Sequence, residues 1–158
     1  MAGQGKACSN FKTVKDALDF AVLREEEAAR GYGRMMGLAK TDSAKLLLAD
    51  LKKDEENHKR MLQDLGRTNV ASLRIPKVVD LKVSDYLVEE PLEAEMNFQD
   101  LLIFAAKKEQ KAAELYTRLM DCVTSPEQKK LFEFLSMQEK THKLKIESEY
   151  EKRVLQED

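Results

Sequence analysis

A chain of 158 residues is long enough for one domain with a packed core and too short for two ordinary ones. Charged residues make up 35 % and aromatics 6 %, with no Trp, six Gly and three Pro, which favours helices and offers little to a sheet. The net charge of −2 comes from interspersed acids and bases, so no nucleic-acid surface is expected, and no stretch reaches the ~20 apolar residues of a membrane span.

Residues 1–13 lack the apolar run of a signal peptide, so a flexible tail and a cytoplasmic location are expected. Cys8 and Cys122 form no CxxC pair and read as free thiols. From Thr13, which can cap, helical spacing carries Leu18, Ala21, Val22, Ala28, Ala29, Tyr32 and Met36 towards Gly37. Thr41-Asp42-Ser43 offers a turn and a new N-cap, and a second helix carries Leu47, Leu48, Leu51, Met61, Leu62 and Leu65, with Gly66 placed to end it. Residues 67–97 break the pattern: Ile75 must be extended before Pro76, and Ser84 can cap a short turn over 85–90 that Pro91 closes. Asn97 opens a third helix with Leu101, Leu102, Ala105, Ala112, Ala113, Tyr116, Leu119 and Met120, and Ser125-Pro126-Glu127 starts a fourth that runs to about Val154. Met35, Met36 and Met120 read as core filling. The expected fold is all-α: a four-helix bundle over 14–158, made of two hairpins joined by one long crossover at about 67–97. That connectivity is ferritin-like.

The two hairpins repeat each other at an offset of 84 residues without a gap. Glu25, Ala28, Ala29, Tyr32 and Arg34 recur as Glu109, Ala112, Ala113, Tyr116 and Arg118, and Leu51, Glu55, His58 and Lys59 as Leu135, Glu139, His142 and Lys143. The only two histidines are each other's partners. Each follows a glutamate by three residues, Glu55 and Glu139, and a second glutamate on the preceding helix, Glu25 and Glu109, by 33.

All six fall on the apolar stripes. Glu25 is in register with Leu18, Val22, Ala29 and Tyr32, whereas Glu26 and Glu27 fall away, and the other five continue Leu48, Leu51, Leu102, Ala105, Leu131 and Leu135. Four buried carboxylates would cost several kcal/mol each, and two divalent cations would cancel their charge. In such a site Glu55 and Glu139 would bridge two metals, Glu25 and Glu109 would bind one each, and His58 and His142 would cap one each. Carboxylate and imidazole donors suit iron or manganese better than structural zinc. Tyr32 and Tyr116, on the same face as Glu25 and Glu109, are either core tyrosines or hydroxyls bonded to a ligand carboxylate or poised for electron transfer.

With these residues the chain resembles the rubrerythrin branch of the ferritin-like di-iron carboxylate superfamily, over about residues 14–154. The resemblance implies a di-iron centre, or a manganese or mixed one, that reduces hydrogen peroxide in response to oxidative stress. Two cysteines cannot build the iron–tetrathiolate domain that many rubrerythrins carry, so the electron donor is expected to be a separate rubredoxin-like protein or flavoprotein. Rubrerythrins also carry a further glutamate on the third helix. Here Ala112 stands one turn after Glu109, which makes the ligand set more like the symmetric ferroxidase centres of bacterioferritins. Dioxygen-driven ferroxidase chemistry with iron storage or delivery is the alternative, and a metal-free helical interaction protein the third. By analogy the chain is expected to be a homodimer.

Overall fold

A computed structural model describes residues 14–68 and 97–157. The expected tail over 1–13, with Cys8 and the Thr13 cap, and the short turn expected over 85–90 lie outside the described residues. Four helices follow in order, α1 (Val14–Met36), α2 (Asp42–Thr68), α3 (Phe98–Met120) and α4 (Pro126–Glu157), with no strand among the described residues. None of these helices is long and apolar enough to cross a membrane.

The starts obey local chemistry. Asn97 accepts the Asp100 N–H at 2.8 Å while the Asp100 carboxylate takes the Asn97 N–H, a reciprocal capping box that satisfies two otherwise unpaired donors. Thr41 Oγ1 accepts the Ala44 N–H at 3.1 Å, and Ser125, its partner at the 84-residue offset, accepts the Gln128 N–H at 3.4 Å ahead of Pro126. Gly66 does not end α2, which continues to Thr68. A Cβ there would meet nothing, and one helical Gly costs only about 1 kcal/mol, so the last turn outlasts it.

Side-chain packing sets the helix directions. One cluster joins Ala17, Leu18 and Ala21 from the start of α1 to Leu115, Tyr116 and Leu119 from the end of α3. It also joins Leu62 and Leu65 from the end of α2 to Phe132 and Leu135 from the start of α4. A second cluster reverses the pairing, with Tyr32 and Met35 against Leu102 and Ala105, and Leu48 and Leu51 against Ile146. Hence α1 runs antiparallel to α3 and α2 to α4, as a two-fold relation between the hairpins requires. Arg24 and Lys108, partners at the same offset, meet across α1 and α3, where the Arg24 guanidinium donates to the Lys108 carbonyl at 3.2 Å. Met35 is buried, and Met36 and Met120 pack partly buried against the clusters. The core is therefore in two blocks, and a polar layer lies between them.

Candidate metal centre

That layer holds the six residues singled out by spacing. Glu25 comes from α1, Glu55 and His58 from α2, Glu109 from α3, and Glu139 and His142 from α4. None is more than 2 % exposed. Helical periodicity puts each on the inward stripe, and the i, i+3 step places Glu55 beside His58 and Glu139 beside His142. Glu26, by contrast, turns to Lys59 at 2.8 Å, and Glu27 is exposed.

The six form two overlapping quartets, Glu25, Glu55, His58 and Glu139, and Glu55, Glu109, Glu139 and His142. Within each, one potential ligand atom per residue lies within 4.8 Å of all the others. His58 Nδ1 is 3.1 Å from Glu55, 3.4 Å from Glu139 and 3.6 Å from Glu25. His142 Nδ1 is 2.8 Å from Glu109, 3.2 Å from Glu55 and 3.3 Å from Glu139. The imidazoles stack with centroids 5.7 Å apart. Glu55 and Glu139 belong to both quartets.

Close approach is not the same as hydrogen bonding here. Glu25 Oε2, Glu55 Oε1, Glu139 Oε1 and His58 Nδ1 are buried without a well-aligned partner. An unpaired buried polar atom costs about 1–3 kcal/mol, and more when charged. Four such atoms converging on one spot are what a cation would satisfy, so the donor set fits a pair of divalent ions in charge, type and arrangement.

Neighbours fix the donors. The Tyr116 hydroxyl, from α3, donates to Glu25 Oε1 on α1 at 2.5 Å, and Tyr32, from α1, makes the matching contact to Glu109 on α3. Each tyrosine thus holds the carboxylate of the opposite hairpin. His142 Nε2 lies 3.0 Å from Asp54, which would keep a proton on Nε2 and free Nδ1 to ligate once a metal ion displaced the proton it shares with Glu109. Sequence reasoning missed Asp54. The offset pairs it with Gln138, so the repeat gives no cue, and its adjacency to Glu55 is the only signal.

Burial, and after it the Glu139 charge, raises Glu25 to about 8 and Glu109 to about 7, and burial with the neighbouring carboxylates takes Glu55 well above the usual carboxylate range. Burial works against a charge on His58, but the carboxylates of Glu139, Glu25 and Glu55 outweigh it and lift the ring to about 12. Burial also opposes charge on Glu139, yet His142 and His58 hold it at about 2. Without metal, protons supply the positive charge that the layer demands.

No family model and no curated protein matches the chain. Solved structures do. A presumed ferritin-like diiron-carboxylate protein from Thermotoga maritima aligns with a TM-score of 0.76 at 20 % identity, covering 88 % of this chain and 95 % of that one. The chain has a ferritin-like fold. A hypothetical protein from Pyrococcus furiosus aligns at 0.69 and 24 % identity, covering 88 % and 89 %. A conserved hypothetical protein from Mycobacterium tuberculosis aligns at 0.62 and 14 %, covering 84 % and 92 %. The ferritin-like bundle and its buried Glu/His layer are thus established on separate grounds, one by likeness of shape and the other by the positions of these side chains.

Proposed function

We propose that this ferritin-like protein binds two metal ions, iron foremost, and acts as an oxidoreductase that reduces hydrogen peroxide or dioxygen in a rubrerythrin-like manner. The observation that carries this reading is the pair of quartets sharing Glu55 and Glu139, with unpaired atoms converging within the first of them. The description of the Thermotoga protein as diiron-carboxylate supports it. Glu25 and His58 would complete one position and Glu109 and His142 the other. Reduced iron held there would supply electrons to an O–O bond.

The chain's own groups would do the rest. Burial keeps bulk water from the layer, Tyr116 and Tyr32 orient the terminal carboxylates, and Asp54 fixes the ring of His142. The electron donor would be a separate rubredoxin-like protein or flavoprotein, and the working form a homodimer in a reducing compartment such as the cytoplasm. One observation favours a second reading, ferroxidase activity with iron storage or delivery. Ala112, one turn after Glu109, is buried and supplies no further carboxylate.

Elemental analysis of protein from iron-replete cells, followed by stopped-flow absorbance after reduction, tests the proposal. Two irons per chain, reoxidised faster by peroxide than by oxygen, is the expected result. Faster oxidation by oxygen would move the assignment to the ferroxidase. No metal after anaerobic reconstitution would defeat both readings.

A further inference from the structure

Beside the Glu109 half of the layer, α1 and α3 part to form a cleft of about 490 Å³, within the roughly 300–1,000 Å³ range of small-molecule sites. Tyr32 and Glu109 form its floor, and Met35, Leu101, Phe104 and Ala105 its walls. At the rim stand three cations, Arg30, Arg34 and Lys108, against one acid, Glu27, which lies 3.9 Å from the Lys108 ammonium.

The repeat explains why the cleft exists on this side. Gly31 lines it, and a Cβ built at Gly31 meets nothing within 4 Å. Its partner at the 84-residue offset is Leu115, which is 1 % exposed and fills the first core cluster. The charges differ as well: Arg30 corresponds to Glu114, and Glu27 to Lys111. One half closes the position with a leucine, and the other leaves it open and surrounds it with positive charge.

We propose that this cleft binds an amphipathic monoanion, a carboxylate on a hydrocarbon body. Apolar walls take the body, since burying hydrocarbon is favourable and costs no polar partner. The head lies at the rim, because the rim carries a surplus of cations. The site adjoins the proposed metal pair but does not depend on it.

Calorimetric titration of the full chain with decanoate tests this, on protein both as purified and after chelation. Saturable one-to-one binding in both states is expected, which separates the cleft from the metal reading. Binding only with metal present would overturn the proposal in favour of direct ligation, and no binding in either state would overturn it outright. Gly31→Leu, which copies the other half, should weaken decanoate by about tenfold or more, and unchanged affinity would count against the cleft. A double Arg30→Ala, Arg34→Ala variant should weaken decanoate about tenfold and leave decan-1-ol near its original affinity. Equal behaviour of the two probes would remove the carboxylate from the proposal. Methionine-methyl NMR of the unmutated protein covers the case in which a variant fails to fold. Decanoate should shift the Met35 methyl and leave Met120 in place, and the reverse would place the ligand elsewhere.

Discussion

Glu139 sits where both imidazoles converge, and it alone among the four glutamates of the layer is held below the ordinary carboxylate range, at about 2. Like Glu55, it belongs to both quartets, so its loss would be felt by both. Glu139→Gln should reduce bound metal to less than half while circular dichroism remains helical, and metal analysis of the purified variant checks it. The metal-free layer also makes a prediction about pH. Glu25 and Glu109 titrate higher folded than unfolded, as does Glu55, so their contribution is present below their unfolded values and is lost as pH rises through about 7 to 8. His58 is raised too, so its contribution is complete below about 6.5 and declines above that. The signs agree. The chelated protein should melt at a higher temperature at pH 5 than at pH 8, and the metal-loaded protein should reverse that order because binding displaces protons. At this scale the six glutamate and histidine positions were legible because only two histidines exist and they share one offset. Asp54 was not, because its histidine lies 88 residues away on α4 and nothing local records that contact.

Along each helix the apolar spacing was enough to place α1 to α4, since a face buried over six or seven turns leaves a regular trace. Gly66 misled because a glycine stops a helix only when the chain turns there, and here two more residues extend it. The fourth helix is harder to read. Phe134, Met137 and Leu144 are exposed on it, while Phe132, Leu135 and Ile146 are buried, so apolar residues occupy more than one face. The caps carry unequal loads. Thr41 Oγ1 accepts from both the Ala44 N–H and the Arg153 guanidinium, which lies 3.0 Å away and ties the α1–α2 link to α4. Among the described residues, the Asn97 side chain serves the start of α3. Asn97→Ala should cost about 1 kcal/mol, and Thr41→Val more, because it also strips a partner from a charged donor. Urea melts of the two variants side by side would check the order.

Among the described residues, a layer of buried Glu and His side chains lies between two apolar blocks of the core. Ions bound to the native state and not to the unfolded chain raise stability in proportion to RT ln(1 + [L]/Kd). Chelation should therefore lower the melting temperature at pH 7 by several degrees, and calorimetry with and without chelator checks it. Unchanged melting would mean that the layer is content with its protons. The bundle itself was legible through the 84-residue offset. The cleft beside Gly31 was not, because a repeat draws the eye to what matches, and the cleft arises where the copies differ.

The crossed tyrosines carry a consequence for how such a molecule can change. Because Tyr116 secures Glu25 and Tyr32 secures Glu109, neither hairpin finishes its own share of the centre. Two identical hairpins meeting as separate chains could assemble the same layer, but every mutation would then appear twice, once on each side. Written in tandem, the copies are released from that constraint. Asp54 can correspond to Gln138, and Gly31 to Leu115, without either change being imposed on the other copy. Covalent linkage thus permits specialisation: one flank of a nearly symmetric centre can be kept sealed while the other acquires a doorway.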